Sequence, residues 1–164
     1  MLCKEDIRKL ILEKKLIENY IDLEKQLQPN GFDCTLHSIY SLSGEGRIDF
    51  DNKERVLPKV KELEFKNDWI YLEKGFYKAR INEVINLPND VAALARPRST
   101  MVRCGVNVLT AVWDAGYRGR SEVGLAVYRG VWIKKNARIV QLVFFRLSGE
   151  SEGYKGIYQN EGLI

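Results

Sequence analysis

The sequence predicts a mainly β protein, a distorted barrel or jelly roll preceded by one short helix. Three observations predict it. Helical spacing of apolar residues is confined to the first segment; many short strand-like runs follow Gly31; and Gly, Pro, Asn and Asp punctuate them at regular intervals. In the first segment Ile7, Leu10 and Ile11 recur at helical spacing among charged residues, which predicts an amphipathic helix from about Lys4 to Leu16. Gln28-Pro29-Asn30-Gly31 is a turn signal that closes this region. Strands are then expected at Thr35–Leu42, Trp69–Leu72, Gly75–Ile81 and Val91–Ala95, with Leu87-Pro88-Asn89-Asp90 as a further turn. The C-terminal half carries the signal more strongly, at Val106–Trp113, Arg120–Tyr128 and Arg138–Leu147, with Gly116 and Gly119 marking a bend. The expected organisation is a single β domain over residues 1–148. Residues 149–164 are polar and Gly-rich, and read as a flexible arm.

Bulk properties narrow the function. A chain of 164 residues with 45% hydrophobic and 29% charged residues suits one folded domain. The formal charge of +4 suits an anionic ligand, but the Lys and Arg residues are dispersed, so nucleic-acid binding is not expected. No apolar run approaches a membrane span, and the charged start Met1-Leu2-Cys3-Lys4-Glu5-Asp6 is unlike a signal peptide. Cys3, Cys34 and Cys104 are odd in number and widely spaced, which predicts reduced thiols and a cytoplasmic location. With His37 the single histidine, a multi-histidine metal site is excluded.

Three segments could carry chemistry. In Arg96-Pro97-Arg98-Ser99-Thr100-Met101-Val102-Arg103, two hydroxyls sit between arginines. They could grip phosphate oxygens, or Ser99 or Thr100 could simply cap a short helix; a helix start is itself favourable for phosphate. Asp114 follows an apolar run and precedes Ala115-Gly116-Tyr117. It could cap a turn, or it could orient and deprotonate a water beside an aromatic ring. Gln141 alternates with Ile139, Val143 and Phe145, so it needs either a backbone partner or a polar pocket.

Taken in order, these pieces resemble the dUTPase and dCTP deaminase superfamily, in particular its archaeal-type members. The matching segments are Gln28–Leu36, Arg98-Ser99-Thr100 with Arg103 and Gly105, Asp114–Gly119, Asn136–Leu142, and Tyr154-Lys155-Gly156-Ile157-Tyr158-Gln159 in the arm. The resemblance implies a distorted β-barrel assembled as a homotrimer, with active sites between subunits and an arm folding over the nucleotide. It implies hydrolysis of dUTP to dUMP and pyrophosphate. Asp114 would orient the water. Tyr117 would pack on the deoxyribose and hinder a 2′-hydroxyl. The stretch Leu109–Val112, with Thr110, would face the uracil edge. Arg98, Ser99, Thr100 and Arg103 would take the phosphates, and Gln141, Tyr154 and Tyr158 would complete the pocket. Mg2+ would ride on the triphosphate, no side chain would ligate it directly, and Asp33 would reach it through water.

The same superfamily contains dCTP deaminases, whose proton-shuttling glutamate stands ten positions after the motif aspartate. Here that position is Gly124, which cannot shuttle a proton, and Glu122 lies two residues earlier on the same strand face. Deamination of dCTP, alone or combined with dUTP hydrolysis, is thus the alternative that Gly124 argues against. A second alternative is a nucleotide-binding trimer without turnover. It draws on the arm, where Ile157 replaces a lysine common in the family and Glu161 stands in place of a Gln- and Ser-containing end.

Overall fold

A computed structural model describes residues 1–163; Ile164, the end of the expected arm, lies outside the described residues. The elements in chain order are α1 (Lys4–Lys14), β1 (Ile17–Glu18), α2 (Leu23–Gln26), β2 (Leu27–Gln28), β3 (Gly31–Ser43), β4 (Lys59–Leu63), β5 (Trp69–Leu72), β6 (Gly75–Ile81), β7 (Val84–Asn86), β8 (Val91–Pro97), α3 (Ser99–Arg103), β9 (Val106–Leu109), β10 (Arg118–Gly119), β11 (Glu122–Val127), β12 (Val131–Lys134) and β13 (Arg138–Arg146). The mainly β expectation holds.

The main sheet runs β8-β13-β3-β6-β11-β9, with β2 and β4 also paired to β3. Its two ends nearly meet. Ala93 of β8 exchanges both backbone hydrogen bonds with Trp113, just beyond β9 (2.9 and 3.0 Å), so the sheet curls into an almost closed barrel. Strand β3 is the spine. Its first part pairs with β2 and β13; after a register shift between Leu36 and Ser38 it pairs with β6 and β4. Phe32, Leu36, Ile39, Ile81, Leu125 and Phe144 fill the interior. Helix α1 covers one side with Ile7, Leu10 and Ile11.

Several boundaries differ from expectation. Helix α1 stops at Lys14, because Lys15 adopts a left-handed conformation (φ 54°) and Leu16 N–H turns back to the Leu10 carbonyl. Strand β3 begins at Gly31, four residues early, because Gln28–Gly31 is a hairpin and not a boundary. Strand β9 ends at Leu109; residues 110–112 leave the ladder, and Trp113 rejoins it through an isolated bridge to Ala93. The edge strands β4 and β12 were not expected.

Candidate active site

The polar residues of interest separate into two groups. The first surrounds a cavity of about 560 Å3, within the usual size of small-molecule pockets, about 300–1,000 Å3. Ala111, Val112 and Trp113 lead along it to Asp114, whose carboxyl is exposed at its margin. A tight turn follows. Tyr117 N–H returns to the Asp114 carbonyl (3.1 Å) and Gly116 has φ 80°, a conformation that favours glycine. The same glycine is needed from outside, since a Cβ there would lie 2.6 Å from Gly153 Cα and 2.9 Å from the Tyr154 nitrogen. Asp114 is therefore both a turn residue and a carboxylate displayed at a cavity.

Tyr117 is buried behind this turn. Its hydroxyl donates to Glu161 (2.7 Å) and lies 2.9 Å from the Ser121 hydroxyl, which also accepts from the Trp113 indole (2.7 Å). Burial pushes the phenol well above its ordinary pKa, so it stays a neutral donor. Lys78 of β6 and Glu122 of β11 form the polar side of the cavity, joined at 2.7 Å; Arg80 holds the other Glu122 oxygen at 2.8 Å. Leu57, Pro58 and Val60 supply an apolar wall opposite.

The arm completes the enclosure. Tyr154 N–H bonds to the Ala115 carbonyl (2.8 Å), and Asn160 N–H to the Arg118 carbonyl (2.7 Å). The Gln159 amide spans the turn, accepting from Arg118 N–H and donating to the Gly116 carbonyl, both at 2.9 Å. Tyr154 meets Tyr117 edge to face at 5.7 Å, and Tyr154, Tyr158 and Glu161 all line the cavity.

The second group lies on β3, β8 and β13. Gln141 is paired with Asp33 on one side and Arg96 on the other. Asp33 is 2% exposed, with Arg98 Nε at 2.8 Å and Arg138 at 3.3 Å. Burial pushes its carboxyl up and the two guanidiniums pull it back, with the net direction upward. Arg98 is itself the N-cap of α3, so neither Ser99 nor Thr100 caps it; both hydroxyls, and Arg103, are exposed. Gln141 is half-buried, because a bulge between Arg138 and Val140 puts Ile139 inward while Gln141, Val143 and Phe145 share an outer face.

The structure thus gathers Asp114, Tyr117, Tyr154 and Tyr158 at one cavity. Arg98, Ser99, Thr100, Arg103 and Gln141 do not line it, and neither does Thr110. Among the described residues no three His, Cys, Asp or Glu side chains cluster as a metal site. Sequence reasoning passed over Lys78, Ser121 and Arg138. In the sequence Glu122 reads only as a displaced proton shuttle, and its pairing across 42 residues with Arg80 leaves no local signal.

Residues 1–147 match the family described as dCTP deaminase-like. The chain belongs to the dCTP deaminase-like family. A relative from Archaeoglobus fulgidus is 59% identical over 165 residues, covering 99% of this chain and 98% of that one, and is named "Probable deoxyuridine 5′-triphosphate nucleotidohydrolase". Another, from Methanocaldococcus jannaschii, is 36% identical over 154 residues (92% and 99% of the two chains) and is named "Deoxyuridine 5′-triphosphate nucleotidohydrolase". The crystal structure of 2′-deoxycytidine 5′-triphosphate deaminase from Agrobacterium tumefaciens superposes with TM-score 0.66 at 22% identity. It covers 87% of this dCTP deaminase-like chain, which spans 47% of that one, and the likeness is one of fold.

Proposed function

We propose that this protein hydrolyses dUTP to dUMP and pyrophosphate. The observation that carries the proposal is Asp114, displayed on a glycine turn at the margin of a nucleotide-sized cavity walled by Tyr117. The names of the relatives that match nearly end to end support it. The substrate is the magnesium complex of the nucleotide, the metal arriving on the phosphate oxygens. Its charge, with that of arginine, offsets the negative oxygens around the attacked phosphorus. Asp114 orients a water and takes its proton; the new oxygen–phosphorus bond forms as the link between the α- and β-phosphates breaks. The buried Tyr117 ring lies under the sugar and leaves no room for a 2′-hydroxyl. Ala111 and Val112, the part of Leu109–Val112 that lines the cavity, offer backbone groups to the uracil edge.

The phosphate-binding residues Arg98, Ser99, Thr100 and Arg103, with Gln141, come from a neighbouring subunit of a homotrimer. Two features support this: these residues do not line the Asp114 cavity of their own chain, and Leu94 is exposed beside the half-buried Val143 and Phe145 on the outer barrel face. Tyr154 and Tyr158 close the pocket. The free thiols suit the reducing cytoplasm.

Deamination is disfavoured by the register of β11. Glu122 opposes Arg80 and Gly124 opposes Lys78 without a bulge, so Glu122 is not moved toward the position of Gly124, and two cations engage its carboxylate. A Cβ on Gly124 would lie 2.7 Å from the ring of Phe76. Incubation with dUTP, dCTP, dTTP and UTP plus magnesium tests the proposal. Pyrophosphate is expected from dUTP alone; ammonia from dCTP at a comparable rate would overturn it.

A further inference from the structure

The second polar group sets one buried carboxylate against two partly exposed guanidiniums. Asp33 is almost wholly buried, yet the two guanidiniums that neutralise it are not. Arg98 and Arg138 keep 26% and 36% of their side chains exposed. A buried carboxylate is costly unless paired, so one with two cations on it is a fixed anchor. Arg98 reaches it through Nε, which leaves both terminal nitrogens of its fork unspent on Asp33. Arg138 uses NH1 for both Asp33 and the Lys25 carbonyl (2.6 Å), so its position is set from two sides. The charges of the three groups sum to one net positive, and the exposed hydroxyls of Ser99 and Thr100 follow Arg98 directly. Exposed Arg96 stands across Gln141 in the adjacent row.

We infer that Asp33 is a positioning residue that holds Arg98 and Arg138 as a two-guanidinium clamp for the phosphate chain, and that Arg138 is itself a phosphate-binding residue. This rests on the reading of the protein as a dUTP hydrolase. It also gives Asp33 a different part from contact with magnesium-bound water, since both charges facing its carboxylate are already arginine. A guanidinium held in advance binds phosphate in two-point fashion without first losing side-chain freedom.

The test compares Asp33→Asn, Arg98→Lys and Arg138→Gln with wild type, using KM and kcat for dUTP and calorimetric titration with pyrophosphate and with dUMP. Arg98→Lys keeps a charge facing Asp33, so it serves if Asp33→Asn fails to fold. Each variant is expected to weaken pyrophosphate binding and raise KM for dUTP by roughly tenfold to a hundredfold, the loss of a charged hydrogen bond, while dUMP affinity changes much less. Asp33→Asn and Arg98→Lys should combine non-additively. Equal losses for pyrophosphate and dUMP would reduce Asp33 to a structural role, and unchanged pyrophosphate binding in Arg138→Gln would remove Arg138 from the clamp. Pyrophosphate binding tests the clamp without turnover. Failure of wild type to hydrolyse dUTP would instead count against the proposed function.

Discussion

At the scale of single residues, Asp114 is set apart by what it does not do. Asp33 and Glu122 are locked in ion pairs and Glu161 is bonded by Tyr117, whereas Asp114 stands exposed on a turn held by backbone bonds and by the Gln159 amide, none of which uses the Asp114 side chain. Asp114→Asn should therefore fold normally. It should bind dUTP but release pyrophosphate about 10^2 to 10^4 times more slowly, the range for loss of a positioned base. A pyrophosphate-release assay beside a binding titration checks this; a variant turning over at the wild-type rate would remove Asp114 from the chemistry. The turn at Asp114 was legible in the sequence because a carboxylate before Ala115-Gly116 is a local pattern; its water-orienting role came from the resemblance of the whole motif order. The partners of Tyr117 were not. Glu161 reaches it from 44 residues away, and Ser121, though four positions distant, meets it only because the turn folds back.

At the scale of elements, the legible strands were those with one wet face. In β11 buried and half-buried positions alternate without a break, and in β5 exposed and buried positions do the same. The start of β3 gave no such alternation, because α1 and β2 pack on it and its first six residues are all buried. Strand β4 was missed for the opposite reason: Lys59, Val60, Lys61 and Glu62 are all exposed on an edge.

The junction of β2, β3 and β7 holds a fully buried Glu83, which accepts from the Gln26 amide, the Thr35 hydroxyl (both 2.6 Å) and Thr35 N–H (2.9 Å). Burial pushes its carboxyl above the ordinary value, outweighing those bonds. A group whose pKa is higher folded than unfolded contributes stability that is fully present below the unfolded pKa. That stability is lost as pH rises through the folded pKa. Asp33 and Glu161 are shifted in the same direction. Urea midpoints should therefore fall as pH rises above the ordinary carboxylate range, and Glu83→Gln should flatten that slope. The variant should also cost about 1–3 kcal/mol, because its amide would set donors against donors. An unchanged slope would show that Glu83 does not titrate with unfolding.

At the scale of the whole molecule, the proposed homotrimer would join the two polar groups into one site by bringing the second from a neighbour. Mixing Asp114→Asn subunits with Arg98→Gln subunits tests this directly. Random exchange in a closed trimer places an intact Asp114 opposite an intact Arg98 at about a quarter of the sites. Activity near that fraction of wild type is expected from two nearly inactive parents. No recovery after confirmed subunit exchange would mean that both groups serve the same chain's site. Sedimentation should give three times the chain mass.

The hydrogen bond from the Trp113 indole to Ser121 has a further use. Trp69 and Trp132 are 43% and 63% exposed, whereas Trp113 is 6% exposed and borders the cavity. The chain therefore carries its own optical reporter. With Trp69 and Trp132 changed to Phe, the remaining emission should come from an indole in an apolar setting, shifted to shorter wavelength. Nucleotide entry would then register as a change in that emission, so that binding and release could be timed in stopped flow without attaching any dye.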